Sequence, residues 1–175
     1  MPGEQIELKP VSHITTGAVG QPGKRVFYLQ ARKGLESVTL IVEKQQVESL
    51  AVGVDQFLTE LEKRFPDLPQ ANGEYSDFEM QLEVPLDPLF RVGQMGLGYD
   101  EEGDLLVLVA QELVPEGGDP AEASVVRLWA TRSQLLALGR HGADVSQHGR
   151  PLCGNCGQPI DPEGHFCPKR NGHKH

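Results

Sequence analysis

The order of elements along this chain runs through twice, and that repetition constrains its fold more than any single motif. Val38-Thr-Leu-Ile-Val-Glu-Lys-Gln-Gln-Val47 lies over Val126-Arg-Leu-Trp-Ala-Thr-Arg-Ser-Gln-Leu135 at an offset of 88 residues, with an extended run turning into a helical one at the same place in both. Earlier, Gly23 before the run containing Phe27 matches Gly103 before the run containing Val107, and Gln5-Ile-Glu-Leu8 is mirrored by Gln81-Leu-Glu-Val84. Few residues are identical, but turn positions and hydrophobic phase agree, as in a sequence built from one supersecondary unit used twice.

Each unit reads as four strands and a helix. In the first, Gln5–Leu8 alternates, residues 13–20 end in glycine, and Gly20-Gln-Pro-Gly23 is a turn. Val26–Ala31 and Val38–Val42 are strand-like runs rich in β-branched residues. From Lys44 the period changes: Val47, Leu50, Ala51, Val54, Phe57, Leu58, Leu61 and Phe65 follow the three-and-four spacing of an amphipathic helix that Pro66 ends. Gly53 weakens that helix by about 1 kcal/mol relative to alanine, less than the long apolar stripe contributes. The second helix opens on Thr131-Arg-Ser-Gln134, a capping box, and continues its stripe through Leu135, Leu138, Gly142 and Val145. In the second unit, Phe78, Met80, Leu82 and Val84 alternate with acidic residues and are expected to form a half-buried strand. The expected fold is α+β: an antiparallel meander sheet from a duplicated four-strand, one-helix unit. Repeat 1 spans about 1–69 and repeat 2 about 70–149, with a small module at 150–175.

That module holds all three cysteines. Cys153-Gly-Asn-Cys156 followed by Cys167 supplies three thiolates at the spacing of a tetrahedral zinc site, and the fourth ligand is His165, His173 or His175. Four protein ligands close the tetrahedron and leave no position for water, so the ion is read as structural Zn2+ and not catalytic. An odd number of cysteines confined to the C-terminal end argues against disulfides and for a reducing, cytoplasmic setting. The N-terminal residues lack the basic and apolar regions of a signal peptide, and no apolar run is long enough to cross a membrane.

Charge is unevenly spread. Arg150, Lys169, Arg170 and Lys174 against Asp161 and Glu163 give 150–175 a charge of +2, so of the net −9 the remaining chain carries −11. An acidic body repels phosphate backbones, and nucleic-acid binding would fall to the tail alone. Gly93-Gln-Met-Gly96-Leu-Gly98 has the wrong spacing for a dinucleotide loop and precedes carboxylates and a strand; glycines there point to a bulge or close packing. Asp100, Glu101, Glu102 and Asp104 read as a solvated turn, and no serine sits in a nucleophile elbow. His13, His141 and His148 are isolated. One polar set, Gln30, Arg32, Glu43, Lys44, Gln45 and Gln46, falls at a strand end and at the first strand-to-helix junction, where side chains of neighbouring elements can converge on a ligand.

Gly17-Ala-Val-Gly-Gln-Pro-Gly23, Phe27–Arg32, Val42-Glu-Lys-Gln-Gln-Val47 and the tail from Gly149 through Gly164-His-Phe-Cys-Pro168 to Gly172 together resemble a bacterial family known as domain of unknown function 3090. The likeness covers nearly the whole chain, and it departs at Gly154-Asn155, where a proline would be expected beside the first cysteine. The resemblance implies a cytoplasmic protein with a zinc-ribbon-like end and no assigned activity. It favours His165 as fourth ligand, giving the set Cys153, Cys156, His165 and Cys167, and it supplies no catalytic residues. The reading that follows is a non-catalytic interaction or regulatory protein with an unknown protein partner. The alternative is an enzyme or small-molecule sensor with a pocket near Arg32, Glu43 and Gln46.

Overall fold

A computed structural model of the chain describes residues 3–21 and 23–148. In order they form β1 (Gln5–Leu8), β2 (His13–Val19), β3 (Val26–Lys33), β4 (Glu36–Val42), α1 (Lys44–Arg64), β5 (Val92–Asp100), β6 (Leu105–Glu112), a single 3-10 turn at Pro120–Glu122, β7 (Val125–Ala130) and α2 (Arg132–His148). The fold is α+β, with two sheets and two helices. One sheet is the antiparallel meander β2-β3-β4, and the other has the order β1-β7-β6-β5, with β1 parallel to β7.

This differs from a four-strand meander, because β1 leaves the first half and joins the second. The reason lies at Val11 and Ser12. Val11 N donates to Trp129 O, beside β7, and Ser12 N donates to Arg32 O, at the end of β3, both at 2.7 Å. The chain thus changes sheets between two consecutive residues, so β1 and β2 run end to end and cannot fold back on each other. The same exchange occurs in reverse at residues 88–91. Leu89 N donates to Thr39 O at 2.8 Å and Ile41 N to Phe90 O at 3.0 Å, placing this stretch parallel to β4; at Arg91, whose carbonyl accepts from Leu113 N, the chain passes into β5 beside β6. Hydrogen bonding joins β7 to β1, β2 to β3 and β4, β4 to 88–91, and β5 to β6 and β7, while the chain itself carries β1 into β2 and 88–91 into β5. The two sheets are one closed circuit.

A second expectation fails at residues 77–84, where no strand forms. Phe78 and Val84 are 81% and 82% exposed, and of the alternating set only Met80 is buried. This backbone is held by side chains and not by a neighbouring strand: Thr15 Oγ1 donates to Met80 O at 2.7 Å, and the Gln30 amide both accepts from Glu83 N at 2.7 Å and donates to Glu83 O at 3.0 Å. The glycine-rich stretch is a strand with a bulge, as expected, its register shifting between Val92 and Gln94. A Cβ on Gly93 would stand 2.8 Å from Leu113 Cα, so the bulge requires glycine.

Both halves contribute to one core. Leu8, Leu29, Leu40, Leu106, Leu108 and Leu128 fill the interior of the circuit, and Val47, Leu50, Val54, Leu58, Leu61, Leu135 and Leu138 bring the helices onto it; each such side chain contributes roughly 1.5–3 kcal/mol by leaving water. The helices cross antiparallel, with Gly139 against Ala51 and Gly142 against Val47. Added methyl groups should therefore act with opposite sign on the two helices. A Cβ at Gly142 would already lie 3.0 Å from Val47 and 3.3 Å from Thr16, whereas one at Gly53 meets nothing within 4 Å. In urea denaturation Gly142→Leu is expected to destabilise by about 1–3 kcal/mol and Gly53→Ala to stabilise by up to about 1 kcal/mol; effects of the same sign would contradict this packing.

Candidate functional site

The first turn of α1 is tied down by its own cap. Gln46 Oε1 accepts from Glu43 N at 2.8 Å, closing one side of a capping box, while Gln46 Nε2 donates to Val92 O at 3.1 Å and reaches Gly93 O at 3.4 Å. One side chain thus caps the helix and fixes it to the start of β5. Glu43 in turn pairs with Arg91 at 2.7 Å. Beyond this pin, helix and strand diverge and leave a cleft of about 540 Å3. Gln45, Gln46, Ser49, Gly53 and Phe57 form the helix wall, residues 93–97 form the strand wall, and Leu50 and Leu108 lie at the bottom. Among the described residues no ionisable side chain lines it. β5 is, among the described residues, an edge strand paired only with β6.

The same construction recurs at α2 and β2. Gln134 Oε1 accepts from Thr131 N at 2.8 Å, Thr131 Oγ1 accepts from Gln134 N at 3.0 Å, and Gln134 Nε2 reaches Val11 O at 3.4 Å. Here the chain that follows α1 covers the groove and leaves a smaller cavity of about 230 Å3 beneath it. Asn72 N donates to Ser133 Oγ at 2.9 Å, the Tyr75 ring stands edge-on to His141 at 5.1 Å, its hydroxyl donates to Asp144, and the carbonyls of Glu79 and Met80 are held by His13 and Thr15. α2 packs along β2, whereas α1 meets β5 only narrowly.

The polar set expected to converge is divided. Gln30 and Arg32 lie on the other sheet, where Gln30 binds the Glu83 backbone and Arg32 pairs with the Glu83 carboxylate. Glu43 is taken by Arg91, and Lys44 lies 4.0 Å from Glu48 along the helix. Only Gln45 and Gln46 reach the cleft, so Arg32, Glu43 and Gln46 share no pocket. Missing from the expected set were Ser49, Gly53 and residues 93–97. Two glycines facing open space, Gly53 and Gly96, were the available signal. Cys153, Cys156, His165, Cys167 and the alternatives His173 and His175 lie outside the described residues, and among the described residues no three His, Cys, Asp or Glu side chains gather to hold a metal ion.

The acidic turn at 100–104 is less solvated than its composition implied. Asp104, with a left-handed φ of 49°, accepts from Arg132 Nε at 2.9 Å, Arg132 Nη2 at 3.0 Å and the Tyr99 hydroxyl at 2.8 Å. Arg132, whose side chain is only 10% exposed, holds the Asp104 carboxyl below the usual carboxylate range, and burial with the Asp104 contact pushes Tyr99 up to about 12. This triad locks the β5–β6 hairpin to the start of α2 and is structural.

These geometries extend over nearly the whole of the region matched by one family model, described as "Protein of unknown function (DUF3090)", which spans residues 6–167. The chain belongs to the DUF3090 family. The match takes in both the cleft and Cys153, Cys156, His165 and Cys167, so body and cysteine-rich segment together make up the DUF3090 unit. No curated protein and no solved structure matches the chain. No helix among the described residues is long and apolar enough to cross a membrane.

One titration tests the filled groove. Burial depresses the pKa of His141, with partial opposition from a hydrogen bond to the Thr16 backbone and from Asp77 and Asp144. Its neutral form is the folded form, so its contribution to stability is complete above the ordinary histidine value of 6.5 and is lost as pH falls through the depressed folded value. The melting temperature should fall more between pH 7 and pH 5 in the natural protein than in His141→Gln; parallel curves would show that the ring is not buried as described.

Proposed function

We propose that this is a non-catalytic interaction protein: a closed body built by duplication, carrying a C-terminal segment that one structural Zn2+ folds for contact with a protein partner. The observation that carries the non-catalytic reading is the chemistry of the α1/β5 cleft. Among the described residues its lining consists of amides, one serine, glycines and apolar side chains, which offer no general acid, no base and no activated nucleophile. The described side chains that do carry shifted protonation sit in the Asp104–Arg132–Tyr99 lock and beside the Tyr75–Asp144 contact, where each has a structural partner.

Duplication is supported by the matched geometry. Each half is three antiparallel strands followed by a helix; Gln46 to Val92 and Gln134 to Val11 are the same bond made twice; and each half gives an extended segment, residues 5–8 or 88–91, to the sheet of the other. The repeating unit proposed is therefore β2–β4 with α1, and β5–β7 with α2, each preceded by its exchanged segment.

For the zinc, support comes from the ligand set itself. Cys153, Cys156, His165 and Cys167 are three thiolates and one imidazole, a closed structural set that would supply folding free energy on the order of 10 kcal/mol to a segment with few apolar residues. A second reading, a sensor for a small uncharged ligand, is favoured by the cleft's volume of about 540 Å3 and by the amides of Gln45 and Gln94 above an apolar floor.

Metal analysis of the purified full chain tests the main reading. One zinc per chain is expected, lost in Cys153→Ser with Cys156→Ser, and the doubly substituted protein should be cut by endoproteinase Glu-C after Glu163 at least tenfold faster while the melting temperature of the body stays within a few degrees. A chain without stoichiometric zinc, or one whose body unfolds with the substitution, would refute it.

A further inference from the structure

We infer that the α1/β5 cleft is the seat of the chain's own C-terminal segment, residues 149–167, just as the α2/β2 groove is the seat of the segment that follows α1; this rests on the zinc-folded tail proposed above. The two grooves correspond residue by residue. Strand pairing sets His13 opposite Arg32 and Gln94 opposite Gln111, which aligns β2 with β5 at an offset of 81, so that Val11 falls on Val92 and Thr15 on Gly96. The paired caps at Gln46 and Gln134 align the helices at an offset of 88, so that Ser49 falls on Ala137 and Gly53 on His141. Each position lining the open cleft thus has a counterpart in the filled groove.

In the filled groove those counterparts are contacts. Ser133 holds Asn72, His141 faces Tyr75, and Thr15 holds Met80. At the open cleft Thr15 and His141 are replaced by Gly96 and Gly53, neither of which would bring a Cβ within 4 Å of any atom. The space left for an occupant is therefore larger than its filled counterpart, and the occupant carries its own bulk and its own cross-link, which suits a metal-bound loop.

Chain continuity selects the tail over another molecule. Residues 72–80, which fill the first groove, become 160–168 at the helix offset of 88, within the cysteine-rich segment. Because the helices cross antiparallel, with Gly139 at Ala51 and Gly142 at Val47, the last turn of α2 lies beside the first turn of α1, which forms the cleft wall at Gln45, Gln46 and Ser49. α2 thus ends beside the N-terminal end of α1, the end at which the cleft wall begins. Residues 149–167 could extend for roughly 60 Å, against about 18 Å of helix between Gln45 and Phe57.

The test uses the full zinc-loaded chain with a benzophenone-bearing phenylalanine at Ser49, and a control with the same probe at the neighbouring exposed Val52. On irradiation the Ser49 probe should cross-link within the monomer to a peptide from residues 149–167, and the Val52 probe should not. Gly53→Phe, which fills the cleft from a helical position with room for it, should speed Glu-C cleavage after Glu163 at least fivefold without loss of zinc. A cross-link that joins two chains would overturn the inference in favour of a second copy in the cleft. With zinc bound, no cross-link to the tail and no change in cleavage would overturn the docking alone and leave the zinc reading standing. A chain that binds no zinc would remove both.

Discussion

The fold depends on two short parallel pairings that each half makes with the other. Residues 5–8 lie along β7 and residues 88–91 along β4, and each stretch then continues into a strand of its own half's meander. Remove either and a three-stranded meander is left with an unpaired edge and an exposed apolar face. Parallel pairing across 120 residues, as between Gln5 and Val125, or 50, as between Ile41 and Arg91, is costly in loop entropy and cannot form locally. The return is a circuit in which both sheets and both helices share one core, with Leu8 from the first half and Leu128 from the second buried against each other's elements.

Once the circuit is closed, the helices need only be aimed. Gln46 and Gln134 do this in the same way, each capping its own helix and bonding the carbonyl at which the chain changes sheets, Val92 in one case and Val11 in the other. What differs between the halves is what lies beyond the pin. After α1 the chain doubles back over α2 and β2, held by Ser133, Thr15, His141 and Gln30. Beside α1 and β5 the described residues leave an uncharged cleft, and this asymmetry in an otherwise matched structure is where binding is proposed.

The sequence showed the elements more clearly than their partners. The stripe from Val47 to Phe65 marked α1, and Thr131-Arg-Ser-Gln134 marked the start of α2 by a cap that forms as its residues imply. The cap of α1 was harder to see, because glutamate is a less usual residue at that position than threonine. Residues 77–84 imitate a strand through the spacing of Phe78, Met80, Leu82 and Val84, but alternation reports only that one face could be buried, and here the buried groups are Met80 and a backbone gripped by Gln30 and Thr15. The exchange of β1 had no local signal, since nothing in Gln5–Leu8 names Val125–Leu128 as its partner. The same holds for Asp104, which looked like one more carboxylate in a polar turn until the fold brought Arg132 to it. In the polar set at the first junction, position along the chain was a fair guide for Gln45 and Gln46 and a poor one for Gln30 and Arg32, which the register of β3 turns to another face.

Native-state hydrogen exchange at the crossing points tests the closed circuit most directly. The amides of Val11, Ile41, Leu89 and Val125 each bridge the two halves. If the circuit is one cooperative unit, all four should exchange only through global unfolding, with the same free energy and the same denaturant dependence as the slowest core amides of β6. Exchange of Ile41 and Leu89 through a local opening several kcal/mol below the global value, with Val11 and Val125 still protected, would show instead that the halves are joined at one seam and that the circuit is not what holds the structure together.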